Sequence, residues 1–180
     1  IFNLLSRTME VFFISSINGL SDAGRYSIGD YTIRFMEIPQ RSMAAITIPL
    51  LASHWKNKEH YKIQELYRKS SATLLIFGFF IFGLIWLNVN NLMLFLPERF
   101  ASPAVKNVIL ILGIGKIIDL GTGINNQIIQ TSNFWRFDFF SNIFFTILSI
   151  PLNYVLIHRF GMLAAAYTVS ISLTIFNTIR

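Results

Sequence analysis

The sequence predicts an all-α integral membrane protein, and two observations lead to this fold class. Of the 180 residues, 53% are hydrophobic and only 13% are charged, whereas an ordinary soluble domain has about 25% charged residues. A soluble protein of this size cannot cover its surface with so few charges. The apolar residues also gather into six stretches whose lengths approach or exceed the roughly 20 residues that cross a bilayer as a helix. We therefore expect about six transmembrane helices in a single bundle.

Short hydrophilic connectors separate the six predicted spans. The spans cover residues 1–17, 25–53, 70–97, 104–131, 139–157 and 161–180. The third and fifth contain no charged residue, and the sixth has one only at its last position, so these three suit a wall that faces lipid. The other three carry charges within apolar sequence, at a cost of about 2.5–3.5 kcal/mol for each charge at the bilayer centre. Their charged faces must point into the bundle or into a water-filled cavity.

Polar side chains recur at helical spacing along the second predicted span. Successive members are four, four, three and four residues apart and so share one helical face: Tyr26, Asp30, Arg34, Glu37 and Arg41. Pro39 lies among them. Because a proline frees a backbone carbonyl and kinks a helix, this position also indicates a cavity or a close helix neighbour.

The fourth and first predicted spans carry similar faces. In the fourth, the spacings are three, four, three and four: Lys116, Asp119, Gly123, Asn126 and Gln130. In the first, Arg7 and Glu10 lie three residues apart. Two interpretations remain open. In one, the charges only neutralise each other as pairs on a single helix: Arg7 with Glu10, Arg34 with Glu37, and Lys116 with Asp119. In the other, they line a polar translocation path that receives an anionic substrate.

The segment 54–69 is the most basic connector of the chain. Its basic residues are Lys56, Lys58, Lys62, Arg68 and Lys69, and a loop rich in lysine and arginine is typical of the cytoplasmic side. Its aromatic residues also predict an amphipathic surface helix: Trp55, Tyr61 and Tyr67. The segment is interpreted either as an orientation signal and connector, or as a contact for anionic lipid or a partner enzyme.

Several classes of enzyme site are missing from the sequence. The chain contains no cysteine, which excludes disulfides, thiol catalysis and cysteine-bound metals. There is no Walker A loop, HExxH or GxSxG motif, and His54, His60 and His158 are too scattered for a metal cluster. We therefore expect no catalytic residue, no metal and no cofactor. The net charge of +6 follows from the positive-inside bias of membrane proteins and does not indicate nucleic acid.

Four stretches of the chain carry motifs in a consistent order. Residues 10–55 contain Ala23-Gly24-Arg25-Tyr26-Ser27, followed by Ile38-Pro39 and Ile48-Pro49. Residues 66–79 run from a basic stretch into an apolar helix, residues 95–112 lead from a loop into one, and residues 153–172 join two helices through a His-Arg-Phe-Gly turn. In this order they resemble polysaccharide flippases, bacterial exporters of the multidrug/oligosaccharidyl-lipid/polysaccharide superfamily. The resemblance covers nearly the whole chain, although the family often has proline where His158 stands.

The resemblance implies a two-lobe transporter of 12–14 helices that flips a lipid-linked oligosaccharide across the bacterial cytoplasmic membrane by alternating access. This chain would be an internal fragment that supplies most of the second lobe. Its expected partners are the missing first lobe of the same protein, membrane lipid and a substrate of the undecaprenyl pyrophosphate type.

The resemblance also suggests roles for the polar faces. Arg34 and Arg41 are expected to contact the pyrophosphate, since arginine forms bidentate phosphate contacts, with Lys116 and Arg7 assisting. The acidic residues Glu10, Glu37 and Asp119 are expected to pair with these cations or to bind a coupling ion. The amides of Asn126 and Gln130 are expected to bind sugar hydroxyls.

Two alternatives remain open at this point. A cation-coupled multidrug exporter of the same superfamily would share the fold but should present unpaired carboxylates. A membrane-embedded polysaccharide polymerase or ligase usually carries a large extracytoplasmic loop, and no connector in this chain exceeds about 20 residues.

Overall fold

The computed structural model describes the backbone of residues 2–179 and the side chains of residues 7–144 and 146–178. It is 88% helical, and the described residues contain no strand. They form eight helices: α1 (Phe2–Ile17), α2 (Leu20–Arg34), α3 (Glu37–Lys56), α4 (His60–Phe95), α5 (Pro103–Gly121), α6 (Asn125–Thr131), α7 (Trp135–Phe160) and α8 (Met162–Ile179). The prediction of an all-α protein is confirmed.

Two helices are long and apolar enough to cross a membrane, namely α4 with 36 residues and α7 with 26. A third span results if α5 and α6, which meet at an angle of 52°, are counted as one bent segment. Helix α8 is apolar but shorter. Two or three segments of the described residues are therefore long and apolar enough to span a membrane, fewer than the six that the sequence predicts.

The second predicted span is broken in the structure. Residues 25–53 were expected to form one helix, but α2 ends at Arg34 and α3 begins at Glu37. At the break, Met36 N donates to Ile33 O at 2.9 Å and Ile38 N to Phe35 O at 3.3 Å, which are tight three-residue turns. The cause is Pro39, whose ring clashes with the carbonyl four residues earlier, at position 35.

The basic segment 54–69 is not a separate surface helix. Helix α3 continues to Lys56, and after a turn with Lys58 at φ 58° the chain enters α4 at His60. At 1.5 Å per residue, α4 is about 54 Å long, whereas the hydrocarbon core is only about 30 Å thick. The charged first turns of α4 therefore extend beyond the part of the helix that can lie in hydrocarbon.

The fourth predicted span is also broken. Residues 104–131 form α5 and the short α6, which are separated around Gly123 at φ 63°. The last two spans, 139–157 and 161–180, correspond to α7 and α8, and α7 is longer at both ends than predicted. Gly161 joins them at φ 69°, a left-handed conformation that glycine adopts readily.

Helix α5 lies at the centre of the bundle and contacts α2, α4 and α8. Its buried side chains form much of the hydrophobic core: Val105, Val108, Ile109, Leu112 and Leu120. Gly115 on α5 allows α8 to approach closely, because a Cβ at this position would lie 2.6 Å from Ser170 Oγ. Ser170 Oγ on α8 donates a hydrogen bond to Ile111 O on α5 at 2.8 Å. Around this centre, α1 packs on α2 and α7, and α3 packs on α4 and α6. Lys116, in the second half of α5, is therefore held inside the bundle.

We expect Gly123→Ala to destabilise the fold by about 2 kcal/mol or more, because the new Cβ would lie 2.8 Å from Ser71 N and alanine resists a positive φ. Gly83→Ala is the matched control, since no atom lies within 4 Å of a Cβ at that site of α4 and alanine favours a helix. Unfolding of both variants in mixed micelles, followed by circular dichroism, measures the difference. Equal midpoints for the two variants would contradict the close contact between Gly123 and Ser71.

Candidate functional site

A buried carboxylate gathers cations from three helices. Glu37 Oε1 accepts a hydrogen bond from Arg7 Nη2 at 2.5 Å, and Glu37 Oε2 accepts one from Arg41 Nη2 at 2.7 Å. Lys116 Nζ lies 3.6 Å from Glu37 Oε1. Arg7 is on α1, Arg41 on α3 and Lys116 on α5. Glu37 therefore links the beginning of the chain to the central helix.

Lys116 extends this arrangement to α8. Its Nζ donates to Asp119 Oδ2 at 2.7 Å and to Gln40 Oε1 at 2.9 Å. Gln40 Nε2 donates to the same Asp119 oxygen at 3.3 Å, and Asn177 Nδ2 of α8 donates to Asp119 Oδ1 at 2.9 Å. We call the connected side chains the Glu37 network: Arg7, Glu37, Gln40, Arg41, Lys116, Asp119 and Asn177.

The Glu37 network is buried at one end and open at the other. The side chains of Glu37, Lys116 and Asp119 are 11%, 10% and 14% exposed, whereas that of Arg41 is 72% exposed. Three cations face two carboxylates, which leaves a net charge of +1. A low-dielectric site with excess positive charge and one accessible guanidinium is suited to an anion.

Comparison with known protein families, curated proteins and solved structures finds no match for this chain. The resemblance to polysaccharide flippases therefore remains a prediction from the sequence motifs.

Local sequence explains why Glu37 occupies the centre. The break caused by Pro39 ends α2 and makes Glu37 the first residue of α3. A helix N-terminus carries partial positive charge, which favours a carboxylate in its first turn. In α5, Lys116 and Asp119 are three residues apart, so their side chains lie side by side on one face.

Two predicted site residues lie in separate pairs. Arg34 donates to Asp30 Oδ2 through Nε at 2.9 Å and Nη2 at 2.5 Å. Glu10 accepts a hydrogen bond at 3.0 Å from the hydroxyl of Tyr26, and both residues are buried. The sequence allows three ion pairs within single helices: Arg7 with Glu10, Arg34 with Glu37, and Lys116 with Asp119. Among the described side chains, only the pair of Lys116 and Asp119 forms. The sequence pattern placed Arg34 with Glu37, but the helix break turns the two residues toward different partners.

The predicted amides lie elsewhere. Gln130 Nε2 donates to Asn126 Oδ1 at 2.8 Å and to Asp138 Oδ2 at 3.4 Å. Both amides belong to α6, beyond the bend at Gly123, and no hydrogen bond joins them to the Glu37 network among the described side chains. The expected continuous polar face of residues 116–130 is therefore divided in two.

Sequence reasoning missed two members of the network, Gln40 and Asn177. Asn177 carries a detectable signal, because it is an amide inside an otherwise apolar span, where an unsatisfied polar group is costly. Gln40 carries a weaker sequence signal, namely its position between Pro39 and Arg41. In the part of the chain that the structure describes, no group of three or more His, Cys, Asp or Glu side chains could hold a metal ion.

We expect Glu37→Gln to destabilise the protein by about 3–5 kcal/mol, because removing one partner of a buried ion pair leaves the others without compensation. Glu65→Gln is the matched control, since Glu65 pairs with Lys69 at 2.7 Å on the exposed face of α4, where solvent screens the attraction and the pair contributes little to stability. The midpoint of unfolding in mixed micelles measures both effects. A loss no larger for Glu37→Gln than for Glu65→Gln would show that Glu37 is not a central partner of the cations.

Proposed function

We propose that this chain belongs to a transporter that flips a lipid-linked oligosaccharide across the bacterial cytoplasmic membrane by alternating access. The observation that carries the proposal is the Glu37 network, in which cations from three helices meet within an apolar bundle. It receives the anionic pyrophosphate of the substrate while that group crosses the membrane.

The energetic cost of the network supports a functional role. Taking a charge out of water costs several kcal/mol, and well-packed apolar residues often replace a buried ion pair without loss of stability. A scaffold with no transport function would have no reason to bury the charged side chains of Glu37, Lys116 and Asp119, which are only 11%, 10% and 14% exposed. Charged residues inside membranes are accordingly functional candidates by default.

Arg41 is the residue proposed to meet the substrate first. One of its guanidinium nitrogens donates to Glu37, and its side chain is largely exposed, so further N–H groups of its five donors are available to phosphate oxygens. Arg7 and Lys116 lie behind it and add positive charge. Glu37 and Asp119 hold these cations in place.

The remaining predicted residues take secondary roles in the proposal. Arg34 lies over the ring of Tyr31 at 4.7 Å, and it provides a second contact for the headgroup as it moves. Asn126 and Gln130 form a hydrogen-bonding pair for sugar hydroxyls. Glu10, which is buried and accepts a hydrogen bond from the Tyr26 hydroxyl, is the candidate for binding the coupling ion.

The proposed architecture is one lobe of a two-lobe transporter with six spans, joined to a first lobe in the same multi-pass protein. In it, α1, the broken pair α2–α3 and α8 add three spans to α4, α5–α6 and α7. Two of the six are discontinuous, at residues 35–36 and near Gly123. Discontinuous helices are typical of transporters, where irregular backbone lines a substrate cavity.

The network geometry favours an anionic substrate over the organic cation of a multidrug exporter. Both carboxylates at its centre are already bound by cations, at 2.5 and 2.7 Å. A cation entering the site would have to displace Arg7 or Lys116 from their partners.

We expect Arg41→Gln in the chromosomal gene to slow export of the lipid-linked oligosaccharide by about tenfold or more, since a hydrogen bond to a charged group contributes about 1.5–3 kcal/mol. The assay measures surface polysaccharide and the lipid-linked precursor that accumulates inside. Lys106→Gln, which removes the same charge beside Asn90, is the control. Unchanged export in Arg41→Gln, or export unaffected by loss of the gene, would overturn the proposal.

A further inference from the structure

Glu10 is a buried carboxyl group without a cation. It is 5% exposed, and its hydrogen-bond partner among the described side chains is the hydroxyl of Tyr26, which donates to Glu10 Oε2 at 3.0 Å. Three other acids, on α2, α3 and α5, each form an ion pair at 2.7 Å or less: Asp30, Glu37 and Asp119. Glu10 forms no such pair with any described side chain.

The nearest cation along the chain, Arg7, is turned away from Glu10. The two residues are three apart on α1, so their side chains lie on the same face of the helix and can reach each other. In the structure, Arg7 Nη2 instead donates to Glu37 Oε1 at 2.5 Å. The side chain of Arg7 is 29% exposed, which leaves it room to change partner.

The groups around Glu10 do not replace that cation. The charges that act on Glu10 are those of Arg7 and Asp30, and Asp30 on α2 is an anion that already binds Arg34 at 2.5 Å. Helix α7 also packs on α1, where two of its titratable side chains form a stack that meets α1 at Phe13: Tyr154 and His158. Burying an unpaired charge is so costly that a carboxyl group placed in this way takes its neutral, protonated form.

The ion that suits Glu10 is a proton rather than a metal cation. Hard metal cations take about six or more oxygen ligands, whereas one oxygen, the Tyr26 hydroxyl, is bonded to Glu10. Among the described residues, no group of three or more His, Cys, Asp or Glu side chains could hold a metal ion. A protonated Glu10 keeps its hydrogen bond, since the carbonyl oxygen of a neutral acid also accepts.

We propose that Glu10 binds a proton, and that this proton keeps Arg7 in the Glu37 network. When Glu10 releases its proton to water, its carboxylate competes with Glu37 for the guanidinium of Arg7. The departure of Arg7 leaves two cations facing two carboxylates, so the net charge of the network falls from +1 to 0. Proton binding at Glu10 and anion binding at the network therefore strengthen each other, because coupling between two sites is reciprocal. This inference rests on the proposed role of the network as an anion site.

The first test detects the proton directly. A protonated carboxyl group has an infrared C=O stretching band that a carboxylate lacks, and the band is visible however deeply the group is buried. In micelles at neutral pH, Glu10→Gln should remove such a band. Glu65→Gln, which replaces the exposed partner of Lys69, should remove none. The band of the unmodified chain should fade as the pH rises. No loss of the band in Glu10→Gln, or its removal by sodium ions at constant pH, would overturn the proposal.

The second test measures the coupling, with sulfate as the probe. Sulfate is an oxyanion whose own charge stays constant near neutral pH. Calorimetry in micelles should show a sulfate affinity that falls by about tenfold, within the usual range of coupling between two sites, over the pH range in which the Glu10 band fades. Glu10→Gln, which keeps this side chain neutral and retains all three histidines, should bind sulfate equally across that range. Arg7→Gln should bind it weakly and without this pH dependence.

The outcomes separate this inference from the flippase proposal. If Arg41→Gln binds sulfate as tightly as the unmodified chain does, the network is not an anion site and the proposed function fails with it. If Arg41→Gln weakens binding but Glu10→Gln keeps the pH dependence of the unmodified chain, the inference about Glu10 fails alone. If Glu10→Gln does not fold, the unmodified chain still decides, because its infrared band and its sulfate affinity must change over the same pH range.

Discussion

The low dielectric of the bundle interior constrains the buried charges of the protein, and Glu37 is where this constraint is met most directly. Arg7, Arg41 and Lys116 lie on three different helices, and the buried Lys116 needs an anion close by if it is to stay charged away from water. Glu37 supplies one carboxylate to all three, and Asp119 supplies a second to Lys116. The relative positions of α1, α3 and α5 are therefore tied to a single side chain.

The helix break before Pro39 makes this arrangement possible. In a continuous helix, Arg34 and Glu37 would lie on one face and neutralise each other. The break releases Glu37 to bind Arg7 across the bundle, while Arg34 takes Asp30 on its own helix. A proline that costs one backbone hydrogen bond thus converts a local pair into a contact between helices.

The sequence was sufficient to predict the helical class and the kink at Pro39, because composition and proline geometry act locally. It was also sufficient to predict the ion pair between Lys116 and Asp119, which are neighbours on one helix. It could not predict that Arg7 reaches Glu37, since that contact depends on how α1 packs against the start of α3. Asn177 was missed for the same reason: its partner, Asp119, lies 58 residues away in sequence. The bend near Gly123 was missed because the polar spacing continues through it.

The spread of the network along the chain also matters for how the protein is made. Lys116 and Gln40 are 76 residues apart, and a ribosome that adds about 5–20 residues per second needs roughly 4–15 seconds to produce that length. During this interval Arg7 and Glu37 are already part of the growing chain, while Lys116 and Asn177 have not yet been synthesised. The charges on α1 and α3 are therefore only partly compensated until α5 has been synthesised. The order of synthesis thus adds first α5 and then α8 to a site whose other members already exist in the chain.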